Sequence, residues 1–355
     1  MRRRLLTAAA ITAGLLSTVL TSQAASAAVG PTVGGDVSRW QGSNELPALG
    51  DFAIVAVNTG VPIETNPHLL EQLAWASAAP GTGHPPVEVY VASANPGLAS
   101  KNWWPSSDRT LAGKTVHSPY GRCSAKLAND ACSWVYGNSI ARDDVGRVPS
   151  AARVGRWWID IEGGPDGNTW SSTTARNRAV VEGMIAGLTA ARKQVGLYSA
   201  TSHFREVLGE VPGRSPIADL PFWAAGAGSQ ADAARRCAAA SLTSGRLTLV
   251  QWRGQEPHVD YDLACAVLTK APKPKISGSF RVGRTVTAKP GTWGPGAVHL
   301  AYRWTRDGRD IAKATHETYV LKKADKRHRI AVTVTATETG YSRSVKKSAS
   351  HRIAS

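Results

Sequence analysis

The run Trp157-Trp158-Ile159-Asp160-Ile161-Glu162-Gly163-Gly164 places two acids at the end of an apolar segment. On a β-strand, residues i and i+2 share a face. Asp160 and Glu162 therefore project together, where Gly163-Gly164-Pro165 breaks the strand. Neighbouring carboxylates repel, so one keeps its proton to higher pH and can act as a general acid. Cleavage of a glycosidic bond uses such a pair. A solvated acidic strand end is the alternative. The apolar strand that leads directly into both acids favours chemistry.

Two further segments carry acids and aromatic rings. Asp36 lies in Gly34-Gly35-Asp36-Val37-Ser38-Arg39-Trp40-Gln41, with Trp40 placed four residues on as a sugar platform. Gln251-Trp252 is followed by Val259-Asp260-Tyr261-Asp262. Trp40, Trp157, Trp158, Trp223 and Trp252 can each stack on a sugar face, although a buried core is the commoner fate of tryptophan. Other chemistries lack their signatures. No Gly-x-Gly-x-x-Gly follows the first strand-like run, and no Gly-x-Ser-x-Gly elbow or phosphate-binding loop occurs. No CxxC or HxxxH spacing marks a metal site, so neither metal nor cofactor is expected.

Positioning these residues requires a framework, and the chain up to residue 270 alternates strand-like and helix-like segments. Residues 52–57, 87–92, 156–161, 195–199, 222–225 and 247–252 read as strands; 69–79, 174–194 and 202–208 read as helices. Continuous apolar strands between helices imply a parallel sheet covered on both faces. An α/β fold of the TIM-like (β/α) barrel type is the leading expectation for 29–270, with a doubly wound open sheet as the alternative. In a barrel, the C-terminal ends of the strands form the active face.

The remainder differs in kind. Ala271-Pro272-Lys273-Pro274-Lys275 reads as an extended linker. Residues 276–355 change to period-two patterning, with an Asp307-Gly308 hairpin signal, and predict an all-β immunoglobulin-like sandwich. The stretch 271–355 holds 18 basic and 5 acidic residues, whereas 29–270 holds 21 of each sign. The basic excess thus sits in the tail and favours a polyanionic partner such as a cell-wall polymer. A merely solvated charged surface is the alternative.

At the other end, Arg2, Arg3 and Arg4 precede an apolar run and a small-residue segment ending near Ala27 and Ala28. Residues 1–28 are predicted to be a secretory signal peptide rather than a membrane anchor. Cys123, Cys132, Cys237 and Cys265 then suit disulfides, with Cys123–Cys132 and Cys237–Cys265 favoured because each pair encloses one local segment.

Taken together, these features resemble glycoside hydrolase family 25, the muramidase-type lysozymes, over roughly 33–268. The residues that carry the resemblance are Asp36-Val37-Ser38-Arg39-Trp40-Gln41, Asp160-Ile161-Glu162, Gly196-Leu197-Tyr198-Ser199 and Val259-Asp260-Tyr261-Asp262, against a family pattern closing in Val-Asp-x-Asn. The family's Lys-Ala-Thr-Glu-Gly is replaced by Val57-Asn58-Thr59-Gly60, and the insert holding Cys123 and Cys132 is unusual. The resemblance implies a barrel that cleaves the β-1,4 bonds of peptidoglycan, with Glu162 as general acid and Asp160 and Asp36 orienting or stabilising the reacting sugar. It places Asp260, Trp40, Tyr198 and Trp252 along the cleft. A non-catalytic barrel that binds wall polysaccharide is the competing reading. The tail resembles secreted bacterial immunoglobulin-like modules, which are spacers or adhesives, through Pro290-Gly291-Thr292-Trp293, Tyr302-Arg303-Trp304 and Asp307-Gly308. No nucleic-acid partner and no membrane span are expected.

Overall fold

The computed structural model describes residues 31–354 apart from 43–44, 101–102, 125–126, 164–168 and 255–258. The signal-peptide assignment to 1–28 and most of the Gly163-Gly164-Pro165 break lie outside the described residues. Strands β1 (Thr32–Val37), β2 (Ala53–Ala56), β3 (Val87–Ala92), β4 (Arg156–Asp160), β5 (Gln194–Ser199), β6 (Phe222–Ala227), β7 (Leu247–Arg253) and β8 (Asp260–Ala264) close in chain order into a barrel.

Strands β1 to β7 pair in parallel. Strand β8 runs antiparallel to both β7 and β1. This departs from the all-parallel barrel expected from sequence. Only residues 254–259 separate β7 from β8, and a parallel crossover needs about a dozen residues or more, so the chain must turn straight back. Helices are also fewer than a full (β/α) repeat: α1 (Leu69–Ala76), α2 (Asp130–Arg147), α3 (Thr174–Ala190), α4 (Thr201–Leu208) and α5 (Gln230–Arg236) are the α-helices among the described residues.

The barrel has two apolar layers. Val55, Val89, Trp157, Ile159 and Leu197 point outward and pack with Leu73, Met184, Leu188 and Phe204 of the helices. Phe52, Ile54, Trp158, Tyr198, Trp223 and Leu249 fill the inside. Trp157 and Trp158, adjacent in sequence, thus serve opposite faces of β4, as the two-residue period requires. The lower interior is closed by the Trp158 indole N–H, which donates to Glu88 Oε2 at 2.6 Å, and by His84 3.2 Å from the other Glu88 oxygen.

Helix α2 crosses α3 closely because glycines face backbone. A Cβ on Gly137 would stand 2.0 Å from the Val180 carbonyl oxygen, and one on Gly183 2.1 Å from that of Trp134. The disulfide Cys123–Cys132 fixes the preceding loop to the first turn of α2, and Cys237–Cys265 joins the residue after α5 to the residue after β8. Both pairs are those favoured on spacing.

Residues 275–354 form two antiparallel sheets. One is made of β9 (Lys275–Gly278), β10 (Thr285–Lys289) and β13 (Thr318–Val320). The other holds β11 (His299–Arg306), β12 (Arg309–Asp310), β14 (Arg329–Glu338), β15 (Tyr341–Lys347) and β16 (His351–Arg352). Lys275, assigned from sequence to the linker, is the first residue of β9. Ile276, Val286 and Ala288 of the first sheet share a core with Trp304, Ile330 and Val332 of the second. The tail is fastened to the barrel. Ser342 Oγ donates to the Leu247 carbonyl at 2.7 Å, the Ser342 amide to Ala266 and the Gly340 amide to Ala234.

Candidate active site

Four acids predicted from sequence sit at one end of the barrel. Asp36 is the penultimate residue of β1, Asp160 the last of β4, and Asp260 the first of the reversed β8, directly paired with Asp36. Glu162 lies two residues beyond β4. The backbone there stays in line with the strand because the Ile161 amide donates to the Tyr198 carbonyl, Ser199 Oγ donates to the Ile161 carbonyl at 2.6 Å, and Trp170 Nε1 donates to the Glu162 carbonyl at 2.8 Å. Asp160 is anchored in the same way, its carbonyl accepting from Ser93.

The acids act on one another electrostatically. Burial raises the Asp160 carboxyl well above the ordinary range, and the charges of Glu162 and Asp36 add to this. Asp36 is pushed up to about 7, by burial first and then by Asp260, against a hydrogen bond from Gln251. Glu162 is half-buried and raised by burial, but Tyr198 and His203 pull it back down. The expectation that Asp160 raises Glu162 is thus inverted in emphasis: the deeper Asp160 bears the larger penalty, and Glu162 is one of its causes. Among the described residues, no Lys or Arg is buried against this set to neutralise it. An ion pair joins Asp260 Oδ1 to the exposed Arg253 Nε at 3.9 Å.

A polar chain supports Asp36 from across the barrel. Tyr198 Oη donates to Gln251 Oε1 at 2.8 Å, and Gln251 Nε2 donates to Asp36 Oδ2 at 2.8 Å. Tyr198, proposed for the cleft, is buried, with its ring 4.3 Å from that of Trp223. It therefore forms the floor rather than a rim. Trp40 is 56% exposed, with the Arg39 guanidinium carbon 4.4 Å above its ring. Trp252 is partly buried and stacks on Tyr261 with centroids 5.7 Å apart. Of the five tryptophans flagged in the sequence, Trp157, Trp158 and Trp223 are core.

Sequence reasoning quoted Gln251 and Asp262 within their segments but gave them no role, and passed over His203. Asp262 was readable, because the same two-residue period that pairs Asp160 with Glu162 puts it on the face of Asp260. Gln251 and His203 take their meaning only from strands and helices brought together by closure. Among the described residues, no cluster of three or more His, Cys, Asp or Glu has a metal-holding arrangement. No helix there is long and apolar enough to cross a membrane.

No family model matches the chain. A probable GH family 25 lysozyme 4 from Dictyostelium discoideum is 32% identical over 72 residues, which is 20% of this chain and 30% of that protein. The chain bears a remote resemblance to glycoside hydrolase family 25. Similar solved structures include the Clostridium perfringens spore cortex lytic enzyme SleM, with 14% identity, a TM-score of 0.42, and 90% of this chain and 98% of that one covered. A family GH25 lysozyme from Aspergillus fumigatus has 12% identity and a TM-score of 0.41, covering 66% of this chain and 93% of its own. A bacterial lysozyme from Streptomyces coelicolor has 18% identity and a TM-score of 0.38, covering 65% and 90%.

Proposed function

We propose that the chain is a secreted glycoside hydrolase that cleaves β-1,4 bonds of peptidoglycan, with Glu162 as general acid. The observation that carries this reading is the convergence of Asp36, Asp160, Glu162 and Asp260 at the C-terminal end of the parallel strands, with no Lys or Arg of the described residues buried among them. Glu162, partly exposed and raised by burial, gives its proton to the leaving glycosidic oxygen as the bond to the sugar carbon breaks. Positive charge then develops on the sugar. That charge develops beside a cluster of acids, so Asp160 and Asp36 ionise more readily next to it than without it, and their stabilisation is specific to the transition state. Water adds to the sugar carbon and gives up a proton that restores Glu162. Trp40 and Trp252 supply flat apolar surfaces for the glycan.

Glu162→Gln keeps shape and hydrogen bonding but holds no transferable proton. Its rate of clearing a cell-wall suspension is expected to fall by about 10²-fold or more, while it still sediments with walls. Full activity in this variant refutes the mechanism. Sedimentation without clearing by the wild-type protein returns the chain to the wall-binding reading.

The two tail sheets and their common core support an immunoglobulin-like module, and the tail's charge supports contact with an anionic wall polymer. Wall retention of the full chain is expected to drop as salt approaches 1 M, where the screening length is about 3 Å. A chain ending at residue 270 should retain less at low salt; equal retention makes the tail a spacer. Export is supported by the two disulfides and by the sequence pattern of 1–28.

A further inference from the structure

Asp262 has no part in the reaction drawn above, yet it is the most enclosed acid of the site, with no exposed surface. It lies on β8 opposite Gln251 of β7 and Gly34 of β1. No N–H or hydroxyl of the described residues reaches either of its oxygens at hydrogen-bonding distance. The ion pair at this end of the barrel uses its neighbour Asp260. An ionised carboxylate placed like this is strongly disfavoured. A neutral carboxyl fits the enclosure, but its own O–H then needs an acceptor. Asp36 lies two residues from Gly34, which pairs with Asp262, so the two acids share a face of β1 and β8, and Gln251, opposite Asp262 on β7, is bonded to the Asp36 carboxylate; the acceptor in reach is therefore Asp36.

We propose that Asp262 stays protonated at neutral pH and donates that proton in a hydrogen bond to Asp36, so that Asp262 and Gln251 together fix the Asp36 carboxylate toward the reacting sugar. Asp262 is in this sense a positioning residue. Two acids side by side can bond only when one proton lies between them, which removes the repulsion that would otherwise push them apart. The groups facing Asp262 are Asp36 on β1, Trp223 on β6, Gln251 on β7 and Asp260 on its own strand. Burial and the Asp36 charge favour its proton, and the Trp223 indole N–H, which faces it without closing a hydrogen bond, opposes it. Asp36 in turn faces Asp260 and Glu162, both of which raise it, and lies within reach of Tyr90. The family pattern quoted above has Asn at this position. An Asn amide is a permanently neutral donor, and a protonated Asp262 offers the same function from a group that can titrate.

The role assigned to Asp36 rests on the glycosidase reading; the shared proton does not, and it is measured without substrate. Carboxyl ¹³C NMR titration of the full chain, labelled at aspartate, is compared for wild type, Asp36→Asn, Asp262→Asn and Asp262→Leu. A signal that remains protonated through pH 7 in the wild type is expected to vanish in Asp262→Asn and Asp262→Leu and to change its titration in Asp36→Asn. In Asp262→Leu, which removes the donor, the Asp36 signal is expected to titrate about one pH unit higher or more, and in Asp262→Asn, which keeps a neutral donor, close to the wild type. An Asp262 signal that titrates like an exposed carboxyl, or an Asp36 curve untouched by Asp262→Leu, overturns the proposal. In turnover, Asp262→Leu should lower kcat about tenfold or more with KM little changed, and Asp262→Asn should recover most of that loss. Equal losses in the two overturn the positioning role. A shared proton in a wild-type protein that cleaves no glycan leaves the pair standing and removes the function proposed for the chain.

Discussion

Asp325 in the tail and Asp262 in the barrel are both wholly shielded from solvent, and the fold provides for them in opposite ways. Asp325 Oδ1 receives Arg306 Nε at 2.7 Å and Nη2 at 2.6 Å, while Oδ2 receives the Tyr319 hydroxyl at 2.9 Å and the Lys322 amide at 2.7 Å. It knots β11, β13 and the turn at 322–325 together. Asp262 receives none of these and meets another acid instead. An acid that holds a domain together is saturated with donors. Asp262 is left short of them, and Asp160, whose Oδ1 meets no donor among the described residues, shares that condition, whereas Asp36 has its bond from Gln251. Burial alone therefore does not separate a structural carboxylate from a reactive one; the count of donors does.

This contrast can be broken most forcefully in the tail. Asp325→Ala leaves the Arg306 charge, the Tyr319 hydroxyl and the Lys322 amide without their partner. It is expected to destabilise the tail by about 3 kcal/mol, seen as a lower denaturant midpoint, with wall clearing by the barrel retained. A neutral effect would mean that the Arg306 pair is no better than a surface ion pair.

The opposite sign is expected at the site. The unfolded chain releases its aspartate protons near their ordinary value of 3.8, whereas the folded chain keeps those of Asp160 and Asp36 to higher pH. Between these limits the unfolded state binds fewer protons, so stability declines as pH rises from about 4 toward about 7. Asp160→Asn removes one such group. It should be more stable than the wild type at pH 7 by about 1 kcal/mol, converge with it near pH 4, and clear walls poorly. Destabilisation at pH 7 would show that Asp160 is paired after all.

A smaller effect sharpens the tail half of the comparison. Arg306→Lys keeps the charge but loses the two-pronged contact with Asp325, and should lower stability by about 1 kcal/mol.

Legibility in the sequence followed locality. Strand β3 coincides residue for residue with the expected 87–92, because a short alternating apolar run carries its own signature. The Asp160 and Glu162 pair was visible for the same reason. Helix α2 was not anticipated. Its run includes Gly137, Asn138, Asp143, Asp144 and Gly146, poor helix formers in isolation. Its reason for being helical lies in α3, forty residues on, against which Gly137 is pressed. The local clue was the cap, where Asn129 Oδ1 accepts from the Cys132 amide at 2.8 Å. The reversal of β8 was equally hidden, since strand direction is not written in apolar pattern, although the six-residue gap before it was countable.

That reversal also sets where the polypeptide leaves the barrel. Strand β7 rises to the acidic end, β8 descends, and the chain emerges at the foot, where Ala266 and Leu247 receive the tail. Whatever is spliced on after residue 266 is delivered behind the acidic end with no strand or helix spent on routing it there. A barrel that exits in this way accepts new C-terminal modules without obstructing a long polymer at its opening, which makes its architecture a ready receptacle for gene fusion.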